Sequence, residues 1–181
     1  YGHLLESGQY EYTREELQQI GQVIRDKSDY MVDLVNDFSL IFQLKNSAIA
    51  IQKERIDMNA FIHDLVVKYQ EDVTLNNHHI SFEPSDEPCE AEIDPKWFIR
   101  VIENLLSNAM KHNPPKTQVH VKVYCKQYTT MISITDNGKG MDETFVDHLF
   151  TRYYKGTSTD ERTEGEGLGM SIAYAIVKLH D

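Results

Sequence analysis

Three polar residues in the middle of the chain have a spacing that suits a phosphate or metal site. Asn104 and Asn108 are four residues apart and Lys111 follows three later, so on a helix all three project from one face. An amide oxygen is a hard neutral ligand for Mg²⁺, and a lysine beside it suits a phosphate oxygen. A solvated polar helix face would show the same pattern and is the alternative interpretation.

A carboxylate followed by glycines forms a second candidate site. Asp136 ends a segment of alternating apolar residues, and Asn137-Gly138-Lys139-Gly140 follows it. This can be a tight turn, because Asn-Gly and Gly-x-Gly supply positive φ. Alternatively, a buried carboxylate there can accept a hydrogen bond from the exocyclic amine of adenine while the glycines admit the base. Guanine carries a carbonyl at that position, so the carboxylate would disfavour it.

A glycine-rich segment, Gly165-Glu166-Gly167-Leu168-Gly169, comes directly before an amphipathic stretch. Glycines that expose backbone amides at a helix N-terminus form an anion site, which suits the phosphates of a nucleotide. No Lys-Ser or Lys-Thr follows, as a Walker loop would require, and no strand leads directly into the segment, as a dinucleotide fingerprint would require.

The chain before these motifs predicts one long helix. Thr13 and Glu16 form a capping-box pattern. The apolar residues that follow are separated by alternating steps of three and four, with Lys27 as the only interruption: Leu17, Ile20, Ile24, Met31, Leu34, Phe38 and Ile41. This spacing is typical of a helix bundle or coiled coil, although an amphipathic surface helix would share it. The extra apolar residues Val23, Val35 and Phe42 favour a bundle of more than two helices.

The remaining elements predict an α+β layer fold. We expect a connector over 46–56, a helix after Asp57, a strand around 80–82 and a solvated acidic loop over 83–92. Asp94-Pro95 is a typical helix start, and Asn113-Pro114-Pro115 ends that helix. A hairpin of strands over 119–123 and 131–135 and a final helix from Leu168 complete the order.

Composition limits the classes of protein. The 181 residues contain 18 Lys and Arg against 29 Asp and Glu, a formal net charge of -11, so we expect no nucleic-acid partner. No apolar run is long enough to cross a bilayer. Cys89 and Cys125 lie far apart in the sequence, so we expect no disulfide framework and a reducing compartment.

Taken together, four segments resemble the ATP-binding domain of sensor histidine kinases, in the superfamily shared with gyrase, the ninety-kilodalton heat-shock chaperones and MutL. The segment 104–111 resembles the asparagine box of that family, and 136–140 resembles its first glycine box. The segment Leu149-Phe150-Thr151-Arg152-Tyr153-Tyr154 resembles the phenylalanine box, and 165–169 the second glycine box. The order and spacing of the four also agree with the family.

The resemblance implies a two-layer α/β sandwich in which helices cover one face of a mixed sheet. Residues 47–181 would be the ATP-binding catalytic domain, ending before the family's usual last strand. Residues 1–46 would be the remnant of a dimerisation and histidine-phosphotransfer hairpin, because Met31 to Phe38 is similar to its second helix. The phosphoacceptor histidine would lie upstream. His3 lies too near the hairpin turn and lacks the flanking residues, so we expect it to be structural.

The resemblance also assigns roles within a Mg-ATP site. Asn108 would bind Mg²⁺, and Asn104, Lys111 and Arg152 would act on the phosphates. Nucleotide contacts would come from Asn108, Lys111, His112, Asp136, Gly138, Gly140, Tyr153, Gly165, Gly167, Leu168 and Gly169. His112 stands where the family usually has Tyr. The polar segment 154–166 would be a mobile lid over the triphosphate.

The function implied is that of a protein-histidine kinase. It would transfer the γ-phosphoryl group to a histidine for relay to the aspartate of a response regulator, and the protein would be a homodimer through the hairpin. The implied location is cytoplasmic and compatible with a membrane anchor in a longer protein. Two alternatives differ: an ATP-hydrolysing switch has Glu where Asn104 stands, and a silent docking module would have lost Asn108 or the glycines.

Overall fold

The chain divides into two compact units, Tyr1–Asn46 and Ser47–Asp181. A computed structural model describes residues 3, 6, 12–46, 49–73, 78–111, 113–126, 129–154 and 167–180. Over these ranges, none of the helices combines the length and the apolarity needed to cross a membrane.

The first unit contains helix α1, Arg14–Lys45. It starts as predicted: the backbone N–H of Glu16 donates to Thr13 Oγ1 at 3.2 Å, and Thr13 N–H donates to Glu16 Oε2 at 2.8 Å. The Thr13 N–H and the Thr13 hydroxyl, which both donate to the Glu16 carboxylate, hold the pKa of Glu16 below its usual value. Much of the predicted apolar stripe is exposed, including Leu17, Met31 and Phe38.

The second unit is built on a three-stranded mixed sheet. Its strands are β2, His79–Glu83, β4, Gln118–Lys126, and β5, Thr129–Asp136, in the order β2-β4-β5. β2 runs parallel to β4 and β5 runs antiparallel to it, with Val121 opposite Ile134. Alternate residues of β4 are fully buried, as the alternating pattern predicts: Val119, Val121 and Val123.

Two helices cover one face of this sheet. They are α2, Met58–Val73, and α3, Pro95–Lys111. Their buried side chains, including Ile62, Val66, Ile102 and Leu106, pack with the inward residues of β2 and β4. The other face is polar, and His120 and Lys122 there bond to Glu83. The α+β two-layer fold expected from the sequence is therefore confirmed.

A second, two-stranded sheet corrects two sequence predictions. Strands β1, Glu54–Asp57, and β3, Glu90–Ile93, pair antiparallel, where a connector and an acidic loop were expected. Glu90 and Glu92 alternate with Ala91 and Ile93, and Ile93 is only 5% exposed. The short length of each strand and the outward acidic residues concealed the alternation.

The two cysteines also differ from expectation. Cys89 and Cys125 form a disulfide although 36 residues separate them in the sequence. Cys89 precedes β3 and Cys125 lies in β4, so the bond links the two sheets. Distance along the sequence was therefore a wrong guide to their separation in the fold, and the reducing compartment that was inferred from unpaired cysteines loses its basis.

Two further helices complete the unit. α4, Glu143–His148, was not predicted, and α5, Gly169–His180, was. Asp142 is the N-cap of α4 and accepts from the Phe145 N–H at 2.7 Å and from the Thr144 hydroxyl at 2.6 Å. The Thr144 hydroxyl and the Phe145 amide lower the pKa of Asp142. α4 leads directly into the segment 149–154.

Candidate functional site

The helix that carries the asparagines is fixed at its start by Asp94. The backbone carbonyl of Asp94 accepts from Phe98 N–H at 2.9 Å, and its side-chain Oδ1 accepts from Lys96 N–H at 3.1 Å. Pro95 occupies the first helical position, where a missing N–H costs little. The predicted helix start is confirmed.

The same helix separates apolar from polar residues. Ile102, Leu106 and Ala109 are buried in the core, whereas Asn104 and Asn108 are half-buried on another face. Lys111 is exposed in the last turn. The side chain of Asn108 forms no hydrogen bond within the described ranges, so its amide oxygen is available to a ligand.

α3 and α5 lie side by side and antiparallel, and contacts at both ends define this arrangement. A Cβ atom on Gly169, at the start of α5, would lie 2.9 Å from Asn104 Oδ1. At the opposite end, the backbone N–H of Asp94 donates to His180 Nε2 at 3.0 Å. The second glycine box therefore lies beside the asparagine face, and a side chain at position 169 would displace the Asn104 amide.

His180 connects the C-terminal end of α5 to the start of α3. Its Nδ1 donates to the Ile176 carbonyl at 2.8 Å, while its Nε2 accepts from Asp94. The contact thus anchors the C-terminal end of α5 beside the cap of α3.

Asp136 lies where β5 ends, as the sequence predicts. Its Oδ1 accepts from the Gly138 N–H at 2.9 Å and from Asn113 Nδ2 at 2.9 Å. Gly138 is half-buried, and Gly140 is exposed with φ of 70°. The carboxylate is held at the loop by one oxygen, and the other oxygen receives no hydrogen bond from the described part of the chain.

The phenylalanine and second glycine boxes meet through their backbones. Tyr153 N–H donates to the Gly167 carbonyl at 3.0 Å. Gly167 has φ of 66°, and a Cβ atom there would lie 2.6 Å from the Tyr154 carbonyl oxygen. Tyr153 also has a positive φ, 63°. The residues that flank the segment 155–166 are thus held together by contacts that require glycine at 167.

Three other predicted residues lie near this junction. Leu168 is only 2% exposed, so its side chain packs in the core and only its backbone is available to a ligand. Arg152 is half-buried, and Tyr153 is exposed. Phe150 packs on Tyr174 of α5, with ring centroids 4.9 Å apart, which fixes the phenylalanine box against the helix.

Two predicted site residues, His112 and Gly165, lie outside the described residues, as does most of the predicted lid, 155–166. Across the described part of the chain, no group of three or more His, Cys, Asp or Glu side chains could hold a metal ion. A metal bound by Asn108 would therefore need further ligands from a bound molecule.

Comparison with known proteins decides the family. Residues 93–181 match the family described as histidine kinase-, DNA gyrase B- and HSP90-like ATPases. The whole chain is 40% identical over 181 residues to the sensor histidine kinase YvrG of Bacillus subtilis, covering 31% of that protein. The chain carries an ATPase domain of the histidine kinase family. It is also 30% identical over 184 residues to the sensor protein kinase WalK of Staphylococcus saprophyticus, covering 30% of it.

Solved structures agree on the fold of this kinase domain and the preceding helix. Full-length ShkA in complex with AMPPNP superposes with a TM-score of 0.74 at 19% identity, over 93% of this chain and 35% of that one. Acinetobacter baumannii AdeS gives 0.73 at 14% identity, over 96% and 78%. The chain spans about a third of the length of the curated relatives described above.

Two residues of the kinase domain that hold distant segments together were missed in the sequence. Asn113 was interpreted only as part of a helix stop, and His180 only as part of the end of the sequence. Asn113 contacts Asp136, 23 residues away, and His180 contacts Asp94, 86 residues away. No local spacing signals such contacts, and an Asn before Pro is ordinary turn composition.

Proposed function

We propose that this domain binds Mg-ATP and donates the γ-phosphoryl group to a histidine on the helix that precedes residue 1 in a longer protein, for relay to a response regulator aspartate. Asp136 would accept from the adenine amine. Lys111 and Arg152 would neutralise phosphate charge, and the amides at Gly167 and Gly169 would contact phosphate oxygens.

Mg²⁺ would be held by Asn108 together with the phosphates. When bound, the ion neutralises charge on the phosphates and orients them. The Asn108 amide supports this role, because its hard oxygen has no hydrogen-bond partner among the described residues and suits such an ion. The chain's own residues would bind and orient the nucleotide and exclude water from it.

The observation that carries the proposal is the contact between Asn104 and the start of α5. The ATP-hydrolysing members of the superfamily have Glu at this position, which activates water. Here the position holds an amide, packed on Gly169, and an amide cannot take the proton. ATP should therefore survive until a nucleophile from outside the domain reaches it.

The neighbouring carboxylate does not replace the missing base. Glu103 Oε1 lies 3.7 Å from Lys68 Nζ of α2. One helical step turns Glu103 about 100° from the asparagine face, and its ion pair with Lys68 is consistent with that direction. This pairing supports phosphoryl transfer over hydrolysis.

Partners follow from the same proposal. A homodimer through α1 is supported by the apolar stripe that a single chain leaves exposed, including Leu17, Met31 and Phe38. A response regulator as second partner is supported by the structure of the histidine kinase ThkA in complex with the response regulator protein TrrA. The proposed location of this domain is the cytoplasm. That location is compatible with a membrane anchor elsewhere in a longer protein.

Calorimetry with two nucleotides tests the proposed site. The wild-type chain should bind Mg-ATP more tightly than Mg-GTP, because Asp136 can accept from adenine's amine but faces a carbonyl in guanine. Asp136→Ala should lose most of that preference: the ratio of Kd for Mg-GTP to Kd for Mg-ATP should fall by roughly tenfold, the contribution of one hydrogen bond to a charged group. Asp86→Ala, which removes an exposed carboxylate outside the site, should keep it. Equal affinities of the wild type for the two nucleotides would contradict the proposal.

A further inference from the structure

Asn113 joins the end of the asparagine helix to the first glycine box. Its Nδ2 donates to the Ala109 carbonyl at 2.9 Å and to Asp136 Oδ1 at 2.9 Å. Its Oδ1 accepts from the Lys139 N–H at 3.1 Å. Both amide hydrogens and one oxygen lone pair are used, so this half-buried side chain makes three hydrogen bonds that connect two segments of the site.

The orientation of the Asn113 amide is unambiguous. A flipped amide would point its oxygen at two acceptors, the Ala109 carbonyl and the Asp136 carboxylate, and its NH₂ group at the Lys139 N–H, which is a donor. Each of the three contacts would then become repulsive. The amide can therefore hold Asp136 only by donating to it.

This donation determines which carboxylate oxygen meets a ligand. Oδ1 of Asp136 takes two hydrogen bonds, from Asn113 and from the Gly138 N–H. Oδ2 takes none from the described part of the chain. Holding one oxygen in place stops the carboxylate from rotating, so the other oxygen keeps one direction before a ligand arrives.

Gly138 is required by the same contact. A Cβ atom at position 138 would overlap the Asn113 side chain. The glycine therefore makes room for the Asn113 amide, in addition to any access that it gives a base. Two residues 25 positions apart in the sequence thus form one unit that supports Asp136.

We propose that Asn113 is a positioning residue that sets the preference for adenine, by holding Asp136 so that Oδ2 faces the exocyclic amine of the base. The proposal rests on the proposed function, because it needs Asp136 to read the base. Asn113 acts through Asp136 and needs no contact with the nucleotide.

The test measures Kd for Mg-ATP, Mg-GTP and the base-free probe magnesium tripolyphosphate. Asn113→Ala should raise the Kd for Mg-ATP by roughly tenfold, the effect of one charge-assisted hydrogen bond. The Kd values for Mg-GTP and magnesium tripolyphosphate should stay within about twofold of the wild-type values. Asn59→Ala is the matched control. Asn59 is also half-buried and makes two bonds, to the backbone of Ser85, so its loss should leave the ATP to GTP ratio unchanged.

A double-mutant cycle separates positioning from general damage. In the Asp136→Ala background, Asn113→Ala should have no further effect on the ATP to GTP ratio, because the residue through which it acts is gone. Equal weakening of all three probes by Asn113→Ala, or additive effects in the cycle, would overturn the positioning role. A wild type without a preference for ATP would instead overturn the proposed function itself.

Discussion

At the scale of single residues, the proposed metal site depends on the side-chain amide of Asn108. Asn108 is half-buried on α3 and makes no hydrogen bond within the described ranges. A neutral amide oxygen cannot hold Mg²⁺ alone, and no carboxylate cluster assists it in the described part of the chain. Metal and nucleotide should therefore bind together.

Replacement of Asn108 tests this dependence. Asn108→Ala should raise the Kd for Mg-ATP by at least roughly tenfold, because even the loss of an outer-shell partner lowers the affinity of a metal site by that factor. In EDTA, the variant and the wild type should bind ATP with similar Kd values. Asn36→Ala, which removes an exposed asparagine of α1, is the control. If Asn108→Ala bound Mg-ATP as tightly as the wild type, the metal role would be wrong.

Residues whose role depends on local spacing could be predicted, and those that act across the fold could not. Asn104 and Asn108 share a helix face because they are four residues apart, and Asp136 lies at a strand end because the alternation stops there. Asn113 and His180 depend on partners that the sequence pattern does not bring near. The roles of all predicted site residues in binding stay predictions.

At the scale of elements, the backbone at Gly167 contacts Tyr153 and Tyr154, so the residues that flank the segment 155–166 are held together. Gly167→Ala would place a Cβ atom 2.6 Å from the Tyr154 carbonyl oxygen at a φ of 66°. The left-handed conformation alone costs about 1–2 kcal/mol for a residue with a side chain. We expect a lower free energy of unfolding and a loss of Mg-ATP affinity of at least about tenfold, measured by urea denaturation and calorimetry.

Gly21 provides the opposite case for the same substitution. It lies within α1, and a Cβ atom there would meet nothing within 4 Å. Gly21→Ala should therefore raise the stability of the helix by about 1 kcal/mol and leave nucleotide affinity unchanged. If Gly167→Ala were as stable as Gly21→Ala and bound Mg-ATP with the same Kd, the contact between Gly167 and Tyr154 would be unimportant.

The disulfide is a second element-scale prediction. Cys89–Cys125 closes a loop across 36 residues and links the two sheets. Closing a loop of this length stabilises the fold by about 2–4 kcal/mol, mainly by restricting the unfolded chain. Urea denaturation with and without a phosphine reductant should show this difference in the free energy of unfolding. The free energy of unfolding of Cys125→Ser should equal that of the reduced wild type and should not change when the reductant is added. An unchanged urea midpoint in the reduced wild type would refute the prediction.

Most elements followed from caps and periodicity, and the exceptions are short. α1 and α3 have capping residues and long apolar patterns, so their starts were predicted. β1 and β3 contain four residues each, too few to show a period, and their pairing joins residues 33 to 39 positions apart. α4, of six residues, depends on the Asp142 cap, which has no distinctive sequence beyond one Asp.

At the scale of the whole molecule, the two units have different tasks in the proposed function. The unit 47–181 would bind the nucleotide, and α1 would bring two chains together through its exposed apolar stripe. In the proposed function, the histidine that receives the phosphoryl group would lie upstream of residue 1. His3 is exposed, and its Nδ1 lies 3.7 Å from Glu6 Oε2, which agrees with an ordinary surface residue.

Labelling with γ-³²P-ATP tests the central claim most directly. A longer form of the protein, which adds the helix upstream of residue 1, should become labelled on a histidine with Mg-ATP. The label should be lost in acid and retained in alkali, as expected for a phosphoramidate. The 181-residue chain alone should bind ATP without stable labelling, and Asn108→Ala in the longer form should stay unlabelled. An acid-stable label on the longer form, its failure to label, or strong labelling of the short chain at His3 would contradict the account.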